Sequence, residues 1–123
     1  MAVTPSYRSF VIEQLEQVAT ITARNMFGGV GLYGEGYFFA LIADDRFYLK
    51  VDDSNRPDFE AAGMEPFRPY RDGRAMQYYE VPIEVLEDAD ALQGWVAKAI
   101  AVARHAGSQA RAGDRKGAGP GSS

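Results

Sequence analysis

A glycine-rich string near the middle of the chain has the spacing of a dinucleotide-binding loop. It reads Gly29-Val30-Gly31-Leu32-Tyr33-Gly34. Such a loop binds pyrophosphate when a strand precedes it and a helix follows it, because the helix amides supply the hydrogen bonds. Here Glu35-Gly36 and an apolar run of strand type follow, and no Lys-Ser or Lys-Thr pair is present. The string is therefore predicted to shape turns and bulges, and no cofactor is expected.

The other residues that could bind a metal or catalyse a reaction do not form a recognisable site. Asp52, Asp53, Asp58 and Glu60 lack the glycine and glutamate positions of an EF-hand loop, and helix capping accounts for them better. His105 is the only histidine, and there is no cysteine that could share a zinc ion with it. The sequence therefore predicts no catalytic residue, no metal site and a protein without enzymatic activity.

Aromatic residues interleaved with cations are the remaining candidates for function. The chain has seven tyrosines, seven phenylalanines and one tryptophan, many of them in segments of strand type. Aromatic and cationic side chains on a sheet can stack nucleic-acid bases or form a protein-binding surface, although no RNP-type string is present. The predicted interaction surface lies on two strands and a hairpin: Arg24, Tyr48, Lys50, Arg68, Arg71 and Arg74.

The charge of the chain favours a protein partner over nucleic acid. The formal net charge is −4, and residues 1–105 carry 16 acidic against 10 basic residues, which gives −6. An acidic body repels phosphate, so binding of nucleic acid would depend on a local basic patch. We therefore expect a protein partner, with nucleic-acid binding through the hairpin and a strand face as the alternative. Formation of a homodimer stays open.

Hydrophobic periodicity predicts the elements of the first half. Apolar residues at three- and four-residue steps predict a helix over residues 5–20, with Thr4 as its N-cap and Pro5 in its first turn. Strands joined by the turns Gly34-Glu35-Gly36 and Asp44-Asp45-Arg46 are predicted for the segment up to Val51. Within it, residues 37–43 are apolar at every position, which is typical of a central strand covered on both faces.

The second half alternates between short helices and strands. We predict a helix over residues 56–62, a strand over 66–70, a hairpin turn at Asp72-Gly73 and a strand over 75–81. An apolar stripe from Leu92 to Ala103 predicts a last helix that ends at Gly107. The fold class is therefore α+β: an antiparallel sheet of about five to six strands packed with an N-terminal and a C-terminal helix plus a short middle helix.

The composition predicts one domain and a tail. Residues 1–106 form the domain, and residues 107–123 are predicted to be disordered, because they are Gly, Ala, Ser and basic residues without aliphatic bulk. No signal sequence and no apolar segment of membrane-spanning length is visible, so no membrane partner is expected. The lack of cysteine fits a reducing compartment, and the predicted location is the cytoplasm.

Several stretches in order resemble the N-terminal domain of the TfoX/Sxy family of bacterial competence regulators. They cover roughly residues 6–105 and include Arg24 to Tyr33, Phe39 to Ile42, Phe47 to Asp52, Phe59 to Gly63, Pro66-Phe67, Met76 to Pro82 and the helix with Trp95. The resemblance implies an α+β domain, a cytoplasmic bacterial setting, no known enzymatic activity and a role in transcription. Family members of the two-domain type act as coactivators beside the cAMP receptor protein. This chain is expected to lack their C-terminal domain, and the family supplies no catalytic residue to carry over.

Overall fold

The computed structural model describes residues 3–26, 28–68, 73 and 76–118, with side chains up to Gly107. It confirms the α+β class: a five-stranded antiparallel sheet with helices at both ends of the chain. The elements in chain order are α1 (Pro5–Glu16), β1 (Ile21–Met26), β2 (Gly29–Gly34), β3 (Tyr37–Ala43), β4 (Arg46–Lys50), α2 (Arg56–Ala61), β5 (Tyr78–Glu80), α3 (Ile83–Leu86) and α4 (Ala89–Ala118).

The five strands lie in the sheet in the same order as in the sequence, β1-β2-β3-β4-β5. Two tight turns make this meander. Glu35 and Gly36 have φ of 54° and 84°, and Asp44 and Asp45 both have φ of 53°. Paired left-handed residues are typical of two-residue hairpins, whose twist matches that of the strands. The predicted turns are therefore confirmed, and β3 lies at the centre of the sheet with four of its seven residues buried.

One face of the sheet carries the main hydrophobic core. Side chains of β3 and β4, among them Phe39, Phe47 and Leu49, pack there against the helices. The helical side chains in this core include Val11 and Leu15 of α1 and Leu92, Val96 and Ile100 of α4. Each of these large side chains stabilises the fold by about 1.5–3 kcal/mol through removal of apolar surface from water.

The first helix is fixed at its start by polar contacts to a turn of the sheet. The Thr4 hydroxyl accepts a hydrogen bond from the Tyr7 N–H (3.3 Å), as expected of an N-cap. The Thr4 N–H and hydroxyl also donate to the two carboxylate oxygens of Asp45, at 2.8 and 3.0 Å. The cap predicted from Thr4-Pro5 is thus confirmed, and it additionally holds α1 against the β3–β4 turn.

Four predicted boundaries differ from the structure by more than one residue. The strand predicted over residues 75–81 is shorter, since its described part is a strand only at Tyr78–Glu80. Helix α1 ends at Glu16 in a turn in which the Val18 and Ala19 N–H groups both donate to the Leu15 C=O. The strand predicted over residues 66–70 is represented by a single bridge between Pro66 and Tyr79, because proline has no N–H to extend a ladder. Pro69 and Tyr70 of that predicted strand, together with Asp72, lie outside the described residues.

The last difference is at the C-terminal helix, which continues beyond Gly107 to Ala118. The sequence predicts that Gly107 ends the helix, yet this residue lies inside the helix and packs against Tyr37. A Cβ at this position would lie 3.3 Å from the Tyr37 ring, so glycine allows the ring to approach the helix backbone. The division of the chain into a domain and a disordered tail stays a prediction.

Candidate interaction surface

The sheet face opposite the helices, called the outer face below, carries a second and smaller hydrophobic cluster. Its buried members are Leu41, Tyr48 and Tyr78, and Phe38, Ala43, Phe67 and Met76 pack against them. The outer face holds the even-numbered residues of β1 and β4, because the odd-numbered residues Ala23, Phe47 and Leu49 pack in the main core. Arg24, Tyr48 and Lys50 therefore share this face.

Three rings form a continuous row across the outer face, with a cation at each end. Tyr33 stacks on Phe38 with ring centroids 5.3 Å apart, and Phe38 lies 5.6 Å from Tyr78. The Arg24 guanidinium lies 5.7 Å from the centroid of Tyr33, and the Lys50 Nζ lies 5.1 Å from that of Tyr78. These five residues are called the aromatic row. Cations at these distances are attracted to the ring faces by about 0.5–2 kcal/mol each, depending on desolvation.

The aromatic row is open at one end and covered at the other. Arg24 is exposed and Tyr33 and Phe38 are partly buried, whereas Tyr78 is 3% exposed. Burial, followed by the neighbouring Tyr33, raises the pKa of Tyr78 to about 12. Burial also lowers the pKa of Lys50, and Asp52 partly offsets this. The open end, from Arg24 to Phe38, is thus the part that a partner can reach.

The predicted surface residues divide into four groups. Arg24 and Lys50 belong to the aromatic row, at its two ends. Tyr48 lies on the same face but is 7% exposed, because the ring of Phe67 covers it at a centroid distance of 4.7 Å. Arg68 is exposed, and its guanidinium donates to the Gly73 C=O at 2.7 Å. Arg71 and Arg74 lie outside the described residues.

Tyr33 and Phe38 belong to the surface although the sequence did not assign them to it. A register shift between Leu32 and Tyr33 interrupts the pairing of β2 with β3. Such an irregularity changes which residues share a face, so counting alternate positions back from Leu41, which lies on the outer face, would wrongly place Phe38 on the core face. The spacing of Arg24 from Tyr33 across a hairpin was the one available signal, since cross-strand neighbours of this kind make cation–ring contacts.

The glycines of the dinucleotide-type string are explained by close packing. A Cβ at Gly31 would lie 2.6 Å from the Met26 Cε, and one at Gly34 would lie 2.8 Å from the Ile100 Cδ1. The string forms β2, and the strand β3 follows it where a nucleotide-binding motif requires a helix. These observations support the prediction that the string shapes the sheet.

Charge is distributed unevenly between the sheet and the first three helices. The strands contain three basic residues, Arg24, Arg46 and Lys50, and one acid, Glu80, which forms an ion pair with Arg46 at 3.2 Å. The helices α1 to α3 contain two basic residues and five acids: Arg8, Arg56, Glu13, Glu16, Asp58, Glu60 and Glu84. The outer face is therefore less acidic than the body of the domain.

The described residues contain neither a metal-binding cluster nor a membrane-spanning helix. No three His, Cys, Asp or Glu side chains in the described ranges lie close enough together to hold a metal ion. In the same ranges, no helix combines the length and the hydrophobicity that crossing a bilayer would require. A groove with a volume of about 620 Å³ lies between the start of β1 and α4, and its lining includes Val18, Thr20, Val96 and Ile100.

Together, the meander sheet with helices on one face and a cation-flanked aromatic row on the other define a small α+β domain with a candidate binding surface. The family model described as TfoX N-terminal domain matches residues 13–103. The chain belongs to this family, which confirms the resemblance found in the sequence.

A curated relative is similar over part of its length. The chain is 35% identical over 54 residues to the DNA transformation protein TfoX1 of Aliivibrio fischeri (strain ATCC 700601 / ES114). The aligned segment is 44% of this chain and 26% of that protein.

Proposed function

We propose that this chain is a non-enzymatic regulatory module that binds a protein partner through the open end of the aromatic row. Its place of action is the cytoplasm, and its role is linked to transcription in the context of DNA transformation. Membership of the TfoX N-terminal domain family and the similarity to a DNA transformation protein support this context. The observation that carries the proposal is the row itself, with partly buried rings beside an exposed arginine.

The chemistry of the open end fits a protein partner. Tyrosine, phenylalanine, methionine and arginine are enriched at the centres of protein interfaces, where rigid rings bury much area at low entropic cost. Tyr33, Phe38 and Arg24 meet within one patch, and Met26 lies beside them over Gly31. A partner that places apolar and acidic side chains here would cover the rings and meet the guanidinium of Arg24. The low content of acids in the strands also favours a partner with acidic side chains, because few like charges would repel them.

Site-specific photo-crosslinking in cells tests the proposal. A photoreactive residue at position 24 is expected to give a discrete adduct with another protein, whose mass differs from that of two crosslinked copies of this chain, because Arg24 is exposed at the open end of the row. The matched control is the same residue at position 16, since Glu16 is exposed on the helical side. Tyr33→Ser should reduce the adduct at position 24 at least fivefold, while thermal unfolding checks that the variant is folded. Equal adducts at both positions, or none at either, would refute the proposal.

Nucleic-acid binding is the second candidate, and the same row favours it. Rings between two cations can stack bases of a single strand, each base contributing about 1–3 kcal/mol. Under this alternative, a labelled single strand binds at low salt, and the affinity falls steeply as salt increases. Arg24→Gln and Lys50→Gln should each reduce the slope of that dependence by about one unit. Binding that is absent at about 20 mM salt removes this candidate, since electrostatic attraction is then at its strongest.

A further inference from the structure

The strand β1 is the open edge of the sheet. In the described part of the chain, all six residues of β1 pair with β2 and with no other strand. The opposite edge, β5, is covered, because the Phe67 N–H donates to the Tyr78 C=O (2.7 Å) and the Glu80 N–H donates to the Glu65 C=O (3.2 Å). Another strand can therefore add to this sheet at β1.

Alternate residues of β1 direct their backbone groups away from β2. Met26 opposes Gly29 at the end of the β1–β2 hairpin, and the closing pair of a tight hairpin is hydrogen-bonded. Opposed residues then alternate between bonded and non-bonded pairs, so Ile21, Ala23 and Asn25 present N–H and C=O groups to a further strand. Exposed edges are commonly blocked by proline, by a bulge or by charged side chains, above all lysine, and β1 carries one such charge, at Arg24. The β1–β2 register is regular, and β1 contains neither proline nor lysine.

We propose that a second copy of the chain occupies this edge, paired antiparallel across a two-fold axis at Ala23. This register uses all three outward residues: Ala23 opposes Ala23 of the second copy, and Ile21 opposes its Asn25. It forms about six backbone hydrogen bonds between the copies and joins the two sheets into one. A register centred one residue further on would pair fewer of the outward groups.

The charge pattern of β1 selects the same register. Arg24 is the one charged residue of this strand, and it is exposed. With the axis at Ala23, Arg24 lies opposite Thr22 of the second copy, a neutral and exposed residue on the same face. With the axis at Arg24, two arginines would lie directly opposite each other, which is unfavourable.

The groove beside β1 enlarges the interface. In the Ala23 register, Met26 of the second copy lies opposite Thr20, which lines the groove of about 620 Å³ together with Val18 and Ile100. An apolar side chain can enter there. Even so, an edge of six residues buries less area than the roughly 1,200 Å² of a stable interface. The dimer is therefore a weak one, with a dissociation constant of about 100 μM.

Charge substitutions at Thr22 test both the dimer and its register. Sedimentation equilibrium between about 10 μM and 1 mM protein is expected to show a monomer–dimer equilibrium for the unchanged chain. Thr22→Glu should lower the dissociation constant about three- to tenfold, because two new Glu–Arg24 pairs form across the axis. Thr22→Arg should raise it by a similar factor, because two pairs of arginines then face each other. Asn25→Pro, which removes an outward N–H, should weaken the dimer further.

Matched controls separate this edge from general charge effects. Ser9→Glu and Ser9→Arg change the net charge in the same way at an exposed site of α1, and they should leave the dissociation constant unchanged. Thermal unfolding of each variant checks its fold. A chain that is monomeric at 1 mM would overturn the proposal, and so would equal shifts for Thr22→Glu and Thr22→Arg. These outcomes concern the edge of β1 and leave the question of a protein partner at the aromatic row separate.

Discussion

Gly29 and Gly31 lie in the same strand but meet different neighbours. A Cβ at Gly29 would lie 2.5 Å from the backbone oxygen of Ile42, whereas one at Gly31 would lie 2.6 Å from the Cε of Met26. The first neighbour is part of the β2–β3 ladder, where Val30 opposes Ile42. The second is the end of a flexible side chain, which can move aside. Similar distances therefore imply unequal costs of substitution.

The expected result is a large effect at Gly29 and a small one at Gly31. Gly29→Ala should lower the free energy of unfolding by about 2–3 kcal/mol, because the backbone of β3 must shift. Gly31→Ala should cost about 1 kcal/mol or less, since Met26 can take another rotamer. Urea unfolding of both variants measures the difference. An equal loss in the two proteins would contradict the role assigned to the Ile42 backbone.

Tyr78 gives the fold a dependence on alkaline pH. Its pKa is raised from 10.0 to about 12 by burial and by Tyr33, so the folded state disfavours the phenolate. Its contribution to stability is complete below pH 10 and is lost as the pH rises through about 12, because the unfolded chain releases the proton first.

The free energy of unfolding should therefore fall between pH 10 and 12, with a share of about 2 kcal/mol from Tyr78. Tyr7, whose pKa is also raised to about 12 by burial and by Glu80, acts in the same direction. In Tyr78→Phe the free energy of unfolding should fall less over this range than in the unchanged chain. Below about pH 9 its dependence on pH should be the same in the two proteins. Urea titrations at several pH values measure this. Parallel curves up to pH 12 would contradict this prediction, because they would show that the pKa of Tyr78 is the same in the folded and the unfolded chain.

At the scale of elements, Asn55 connects the end of β4 to the start of α2. This side chain is 1% exposed. Its Oδ1 accepts from the Asp52 N–H at 2.9 Å, and its Nδ2 donates to the Lys50 C=O at 3.0 Å. Asn55 occupies the N-cap position of α2 without making a side-chain cap bond. It instead bonds to the backbone of Lys50, the last residue of β4, and of Asp52 beyond it.

Asn55→Ala should therefore cost about 2–3 kcal/mol, because it leaves a buried donor and acceptor without partners. Asn55→Asp keeps the shape but loses the donor to Lys50, and it should cost a similar amount. Ser54→Ala is the matched control: Ser54 is exposed and its hydroxyl bonds only to Asp52 among the described residues, so we expect a loss below about 0.5 kcal/mol. Thermal unfolding of the three variants measures this order. A cost at Asn55 no larger than at Ser54 would show that water replaces its hydrogen bonds.

The element order was predictable from local sequence, whereas the surface was only partly so. Periodicity and turn residues identified α1, the meander and α4, because a buried stripe and a left-handed turn leave clear patterns. The bulge at Leu32/Tyr33 leaves no such pattern, so Phe38 was not assigned to the outer face. The burial of Tyr48 depends on Phe67, which comes from a distant part of the chain. Gly107 was misassigned as a helix end, since its contact with Tyr37 is likewise non-local.

On the scale of the whole molecule, the core brings together both ends of the domain. Val11 of α1 and Ala103 of α4 belong to the same buried cluster, and Trp95 packs edge-on against Phe59 with centroids 4.7 Å apart. Elements that share one core unfold together in small domains. The fluorescence of Trp95, the only tryptophan, should therefore report on the unfolding of the whole domain.

Removal of residues 108–123 tests where this cooperative unit ends. Among the described side chains, the last member of the main core is Ala103; the family match ends at residue 103, and Gly107 makes the last described contact, with Tyr37. The shortened chain should therefore keep its free energy of unfolding within about 0.5 kcal/mol, because a change remote from the core contributes little. Trp95 fluorescence in urea measures this, and circular dichroism at 222 nm in the same samples should give the same midpoint. A loss above about 1 kcal/mol would mean that the end of α4 packs on the domain, and the boundary at residue 106 would then be wrong.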